Sequence, residues 1–116
     1  MSNSRGKKGE EQAAAALEKA GMSIIAKNVR SRYGEVDIVA LEGETVVFAE
    51  VKAWSAYGAE DLRHSIDAKK REKIIKTAKY FLLENRKYSK MSIRFDVVFV
   101  HDNAVTHLAS AFTESV

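Results

Sequence analysis

Residues 34–52 read GEVDIVALEGETVVFAEVK, and this stretch decides the fold because two runs rich in valine and isoleucine flank a short polar connection. Such runs favour β-strands. Gly43 in the connection tolerates the positive φ that a two-residue hairpin turn needs at its first central position. With Gly43 and Glu44 at the centre, Glu42 pairs with Thr45, and the stretch is predicted to form a tight antiparallel hairpin.

The same register places two carboxylates opposite each other, because it pairs Asp37 with Glu50 and Glu35 with Lys52. Strand alternation puts Asp37, Glu50 and Lys52 on one face. Opposed Cβ atoms lie roughly 4.5–5.5 Å apart. At an effective dielectric near 20, two negative charges at about 5 Å repel by about 3 kcal/mol. A hard cation such as Mg²⁺ reverses the sign of this interaction, since it binds through one or two carboxylates and keeps waters for a substrate phosphate.

A non-functional alternative for Asp37, Glu50 and Lys52 is a hairpin at the edge of a sheet, with these charges exposed to solvent. The apolar neighbours Val46 and Phe48 on the same face disfavour it. A register shift of one residue would break the opposition, because every side chain would then change face. The pattern therefore favours a cation site beside a lysine, which is the core of a nuclease active site.

The composition narrows the class of protein. A chain of 116 residues with 46% hydrophobic and 30% charged residues is expected to form one globular domain over residues 1–116. It has no run of 18 apolar residues and no apolar signal core near the N-terminus, so a cytoplasmic protein without membrane contact is expected. The absence of cysteine excludes disulfides, zinc–thiolate sites and cysteine nucleophiles.

Positive charge is concentrated in residues 67–90, which hold nine basic and three acidic residues, an excess of six on a chain whose total is +3. Such a stripe attracts a polyanion, although a solvated helix face gives the same pattern. The residues predicted to bind the phosphates of nucleic acid are Lys69, Lys70, Lys73 and Lys76.

Periodicity and turn residues predict the element order α-β-β-β-α-β-β, a mixed sheet flanked by helices in the α/β class. The predicted helices cover residues 6–20 and 65–86. The predicted strands are 23–33, the two arms of the hairpin, 93–100 and a short final strand over 104–107, with a loop over 53–63.

Two further predictions concern polar residues outside the hairpin. His64, His101 and His107 lack metal-ligand spacing and are expected at the surface. Asp96 is expected to be structural and paired with Arg94.

Taken together, these motifs resemble a known family. An aspartate followed on the next strand by Glu-x-Lys is the signature of the PD-(D/E)xK nuclease superfamily, here Val36-Asp37 and Glu50-Val51-Lys52. Over residues 6–112 the chain is similar to the small uncharacterised bacterial YraN-like family, which in turn is similar to archaeal Holliday junction resolvases, enzymes that cut branched DNA as homodimers. The matching motifs are Gly9-Glu10, Asn28, Gly34-Glu35-Val36-Asp37, Val47-Phe48-Ala49-Glu50-Val51-Lys52, Lys70, Ala78, Arg94-Phe95-Asp96-Val97-Val98 and Ala111-Phe112.

The resemblance implies a restriction-endonuclease-like fold. It implies Asp37 and Glu50 as metal ligands, Lys52 as the catalytic lysine and Glu10 as a supporting acidic group. The chain departs from the pattern at two positions. Val36 replaces the proline of the superfamily name, and Trp54 stands where the family often has a basic residue. Trp54 is a candidate for stacking on a base, with packing against the core as the alternative.

These observations predict a metal-dependent endonuclease that hydrolyses phosphodiester bonds of nucleic acid, with DNA, branched DNA included, as the expected substrate. Mg²⁺ or Mn²⁺ is the expected cofactor, and the carbonyl of Val51 is a further candidate ligand. A homodimer is a candidate assembly, because two copies of so small a domain could engage two strands. The alternatives are a non-catalytic nucleic-acid-binding module on the same fold and a purely structural interaction protein.

Overall fold

The computed structural model describes the backbone of residues 4–53 and 66–113 and the side chains of residues 7–53 and 66–113. Trp54 and His64 lie outside the described residues, as does the predicted loop beyond residue 53. The predicted order of elements is confirmed. In chain order the elements are α1 Ser4–Lys19, β1 Ser23–Arg30, β2 Glu35–Glu42, β3 Thr45–Ala53, α2 Ala68–Glu84, β4 Ser92–His101 and β5 Ala104–Phe112.

The five strands form one sheet in the order β1-β2-β3-β4-β5, and all neighbours are antiparallel except β3 and β4, which are parallel. Parallel neighbours cannot be joined by a hairpin and need a long crossover connection. Helix α2 lies in that crossover. The predicted mixed sheet flanked by helices is therefore confirmed.

Each face of the sheet packs against one helix. Strand alternation sends Phe48 toward α2 and its neighbours Val47 and Ala49 toward α1, so a strand that reads as a continuous apolar run is buried on both faces. On one face of the sheet, α1 contributes the buried residues Ala13, Ala14 and Leu17. On the opposite face, α2 contributes Ile74, Ala78 and Phe81. The sheet between the two helices thus forms the centre of the core.

The hairpin has the predicted register. Glu42 pairs with Thr45, and the ladder continues in step to Ile38 and Ala49. Gly43 has a φ of 60°, as the first central position of a type II′ turn requires. The regular pairing of β2 with β3 therefore ends at Ile38, the residue next to Asp37.

Several predicted boundaries were wrong. Strand β1 ends at Arg30 rather than at residue 33, because residues 31–34 form a turn in which Ser31 N donates to Gly34 O at 2.9 Å. Helix α2 begins at Ala68, where the Asp67 side chain accepts from Lys70 N and caps the helix. The final strand is not short, since β5 runs to Phe112.

A 3₁₀ turn over Arg86–Tyr88 follows α2. Within residues 4–53 and 66–113, no helix is both long enough and apolar enough to cross a membrane.

Candidate active site

Asp37 lies on β2 where the regular ladder with β3 stops, and its side chain replaces the missing ladder bond. Asp37 Oδ2 accepts a hydrogen bond from Val51 N at 2.7 Å. This bond holds the carboxylate of Asp37 beside β3 and restricts its rotation. Burial and the nearby charge of Glu50 raise the pKa of Asp37 to about 7, although the bond from Val51 acts in the opposite direction. The regular ladder stops before the predicted pairing of Asp37 with Glu50, but the two carboxylates are close enough for Glu50 to raise the pKa of Asp37.

Glu50 is buried, with 9% of its surface exposed, and its two carboxylate oxygens have different surroundings. Oε2 lies 3.0 Å from the ammonium Nζ of Lys70 on α2. Oε1 is buried and has no hydrogen-bond partner among the residues that the structure describes. A buried polar atom without a partner costs free energy, since the carboxylate has lost its water without a full replacement.

The structure places Lys70, one of the residues predicted to bind phosphate, beside the acidic pair Asp37 and Glu50 and in contact with Glu50. The hydrogen bond to Glu50 and the charge of Glu50 raise the pKa of Lys70. Lys70 occupies the first turn of α2, where a positive charge opposes the helix dipole by about 0.3–1 kcal/mol. Its pairing with Glu50 offsets this unfavourable position.

Glu10 projects from α1 toward the same region. Burial and the charge of Asp37 raise the pKa of Glu10, and a side-chain hydrogen bond with Asn28 acts in the opposite direction. Asn28 has a φ of 53° on β1, a left-handed conformation that asparagine tolerates better than most residues. Because α1 begins at Ser4, Glu10 lies beyond the first turn, so interaction with the helix dipole does not explain its position.

Lys52 follows Glu50 by two residues on β3, and strand alternation sends both side chains to the same face. Lys52 is exposed, and in the part of the chain that the structure describes no ion pair joins it to Asp37 or Glu50. The partner suggested for Lys52, Glu35, instead lies 3.4 Å from Arg30 Nε. Of the two lysines, Lys70 is the one with a described contact to Glu50.

The remaining predicted phosphate-binding residues form a broad face of α2. At about 100° per residue, Lys69, Lys70, Lys73 and Lys76 fall within an arc of roughly 120°. All four are exposed. Lys70 stands at the edge of this arc that faces Glu50, and Lys69 and Lys76 line a groove between α2 and the end of β5. The basic face and the acidic pair are therefore adjacent.

The donor set suits a hard divalent cation. Mg²⁺ takes oxygen ligands and is commonly held by one or two carboxylates plus waters and substrate phosphates. Asp37 and Glu50 supply two carboxylates, and the unpartnered Oε1 of Glu50 is an oxygen that a cation would satisfy. Among residues 7–53 and 66–113, no three acidic or histidine side chains group closely enough to make a larger site.

A second polar cluster links strands β4 and β5. Asp96 is fully buried and accepts from Arg94 Nε at 2.9 Å, from Ser110 N at 3.0 Å and pairs with His107 Nε2 at 2.6 Å. Burial alone would raise the pKa of Asp96, but these hydrogen bonds outweigh it and lower the pKa to about 2. The contact of Asp96 with Arg94 was predicted. The expectation of a surface position for His107 was wrong, because it sits on β5 and reaches the buried carboxylate.

Sequence reasoning missed two contributions to the site, the ion pair of Lys70 and the support that Asn28 gives to Glu10. A positive charge in the first turn of a helix was the available signal for Lys70, since that position is unfavourable without an anion nearby. Asn28 is one of the positions that match the YraN-like family, but no local pattern indicates its contact with Glu10. Its role depends on how α1 docks on the sheet.

Known proteins resemble this chain over most of its length. Residues 9–100 match the uncharacterised protein family UPF0102, a span that includes every described site residue from Glu10 to Lys76. A UPF0102 protein of Treponema denticola is 44% identical over 95% of this chain and 95% of its own length. A UPF0102 protein of Persephonella marina is 40% identical over 93% and 92%. A UPF0102 protein of Pseudomonas aeruginosa is 40% identical over 85% and 79%.

Proposed function

We propose that this chain, which belongs to the uncharacterised protein family UPF0102, is a metal-dependent endonuclease that hydrolyses phosphodiester bonds of nucleic acid. The observation that carries the proposal is a buried carboxylate pair with incomplete compensation. Within residues 7–53 and 66–113, Oε1 of Glu50 has no hydrogen-bond partner. Burial and the charge of Glu50 raise the pKa of Asp37 to about 7. The fold by itself does not require this arrangement, because an apolar strand pair would avoid its cost.

Asp37 and Glu50 would hold Mg²⁺ or Mn²⁺, with the carbonyl of Val51 as a third protein ligand. When bound, the ion supplies a Lewis acid for the phosphoryl oxygen and lowers the pKa of a coordinated water. The hydrogen bond from Val51 N fixes one oxygen of Asp37, so the carboxylate is oriented before any ligand arrives. Such preorganisation reduces the reorganisation that the reaction requires.

The lysines of the site have separate roles in this proposal. Lys52, exposed beside Glu50, orients the attacking water or stabilises the charge that develops on the phosphate. Lys73 and its neighbours on α2 bind backbone phosphates without reading sequence. Glu10, which forms a side-chain hydrogen bond with Asn28, acts on Asp37 electrostatically.

The finer substrate assignment is branched DNA, cut by a homodimer. It rests on the similarity of the YraN-like family to Holliday junction resolvases. Two copies of the chain would present two acidic pairs, one for each strand to be cut.

A second candidate, a nucleic-acid-binding module without turnover, is favoured by one specific contact. Lys70 already neutralises one oxygen of Glu50 at 3.0 Å, and this compensation needs no metal. In this case the basic face of α2 would bind nucleic acid while the carboxylates only position the helix.

A cleavage assay separates the two candidates. The purified protein is incubated with linear, nicked and four-way-junction DNA and with RNA, in Mg²⁺, in Mn²⁺ and in EDTA. The isosteric variants Asp37→Asn and Glu50→Gln and the variant Lys52→Ala are purified identically. Glu18→Gln, which changes an exposed acid on α1, is the matched control.

Cleavage that requires metal, persists in Glu18→Gln and disappears in the three site variants supports the endonuclease. Salt-sensitive binding without cleavage under every condition supports the binding module. Cleavage that is equal in wild type and Asp37→Asn contradicts both the assignment of the site and the role of the pair.

A further inference from the structure

An exposed aromatic ring lies close to the candidate site at the turn between β1 and β2. Tyr33 is 41% exposed and, with Arg32, occupies the centre of the turn that Ser31 and Gly34 close through their backbone groups. Strand β2 starts immediately after this turn. Asp37 follows Tyr33 by four residues, a distance of about 13 Å along an extended strand.

The turn is held firmly against α2. Ser31 Oγ lies 2.8 Å from the hydroxyl of Thr77, which is fully buried, and it also accepts from Tyr33 N at 3.0 Å. A Cβ atom at Gly34 would stand 3.2 Å from Lys73 Cβ, so glycine allows the turn to approach the helix closely. The backbone that carries the Tyr33 ring is therefore ordered before any partner binds, which lowers the entropy cost of binding.

Two cations accompany the ring. Arg32 Cζ and Lys76 Nζ each lie 5.3 Å from the centroid of Tyr33, within the range of cation–π contacts. Both are exposed side chains, so a planar group that stacks on the ring can shift a cation that covers the face it takes. The shifted cation would then meet the phosphate attached to that planar group.

These groups connect with the acidic pair along α2. Lys70 and Lys76 are six residues apart, about 9 Å along the helix axis. Lys73 lies between them and beneath the turn. The basic residues Lys70, Lys73 and Lys76 thus lie along α2 between Glu50 and Tyr33.

We propose that Tyr33 is a stacking platform for an unpaired nucleobase next to the phosphodiester that the acidic pair acts on, so that this surface selects nucleic acid with single-stranded character. This inference rests on the proposed function and names its substrate class. A base within a duplex is stacked on both sides by its neighbours and offers no free face. Only an unpaired base, in a tail, a flap or an opened junction, can lie on the ring.

Binding is tested in EDTA, where no cleavage interferes, by fluorescence anisotropy with three labelled probes. The probes are oligo-dT, an abasic strand of the same length, and a duplex. Tyr33→Leu removes the ring, Tyr33→Phe keeps it, and Lys76→Gln removes a cation. Tyr80→Leu is the matched control, because Tyr80 is 43% exposed on the outer surface of α2.

Loss of the stacked ring is expected to weaken oligo-dT binding roughly 5- to 150-fold in Tyr33→Leu. Binding of the abasic strand should stay within about two-fold of wild type, because that strand has phosphates and no base. Tyr33→Phe should match wild type on all three probes. Lys76→Gln should weaken the oligo-dT and abasic strands alike and reduce the salt dependence of both.

Equal binding of oligo-dT by wild type and Tyr33→Leu overturns the inference while leaving the proposed function in place. Equal losses on the oligo-dT and abasic strands, or an equal loss in Tyr80→Leu, overturn it too, since neither depends on a base stacked at Tyr33. If the wild-type protein binds none of the three probes, both this inference and the nucleic-acid part of the proposed function are overturned. Thermal melting of each variant confirms that it is folded.

Discussion

The acidic pair should make the metal-free protein less stable as the pH rises, and the size of this effect follows from Asp37. Its pKa is raised from 3.8 to about 7 by burial and by the charge of Glu50. Below 3.8 the group is protonated in both the folded and the unfolded chain and contributes nothing. Above about 7 it is ionised in both, and the whole cost is present.

At 1.36 kcal/mol for each pKa unit, the full cost is about 4 kcal/mol, of which about 3 kcal/mol develops between pH 5 and pH 8.5. This is a large fraction of the free energy of unfolding of a small domain, typically about 5–15 kcal/mol. The expected result is a free energy of unfolding that is clearly lower at pH 8.5 than at pH 5. In Asp37→Asn this component of the pH dependence should vanish, because the amide carries no charge at either pH.

Urea denaturation followed by circular dichroism at both pH values measures the effect, with EDTA present. Glu18→Gln, an exposed acid on α1, serves as the control and should follow wild type. A saturating divalent cation should then restore stability at pH 8.5, by about 2.7 kcal/mol at one hundred times its Kd, and should do little at pH 5. An identical pH dependence in wild type and Asp37→Asn would refute the reasoning, because Asp37 would then not be buried against a second charge.

Two further predictions concern charges that the structure pairs. Lys70→Gln should destabilise the metal-free protein by about 1 kcal/mol at pH 8.5 and enlarge the stabilisation by Mn²⁺, because Glu50 loses its counter-ion. Thermal melting measures both effects, with Lys69→Gln on the same helical turn as the control. Equal shifts of the melting temperature in the two variants would argue against the ion pair. Asp96→Asn should cost about 1.5–3 kcal/mol in urea denaturation, because the fully buried Asp96 loses the charge that strengthens its hydrogen bonds with Arg94. Since the pKa of Asp96 is lowered to about 2, its contribution should be complete above pH 3.8 and decline as the pH falls toward 2, and an acid-unfolding curve unchanged in Asp96→Asn would contradict this assignment.

The hairpin could be predicted in register because its determinants are local. Gly43 fixes the turn, and strand alternation then assigns Phe48 and Glu50 to one face. The position where the ladder stops could not be predicted in the same way. Asp37 leaves the regular pairing to accept from Val51 N, and that choice depends on the side-chain geometry at the end of the hairpin.

Contacts between distant segments were beyond local patterns. Glu50 and Lys70 are twenty residues apart, and their contact depends on where α2 docks after the crossover. The length of β5 was underestimated for a similar reason. Ser110 and its small neighbours have weak strand propensity, but Ser110 takes a φ of 54° and donates its N–H to Asp96, so a buried carboxylate holds the strand in place.

The most direct measurement for the central claim is the binding of Mn²⁺ to the metal-free protein by isothermal titration calorimetry at pH 8.5, where Asp37 is ionised. One saturable site per chain is predicted, absent in Asp37→Asn and in Glu50→Gln and retained in Glu18→Gln. No saturable binding by the wild-type protein, or binding of equal affinity in Asp37→Asn, would contradict a cation site at this pair.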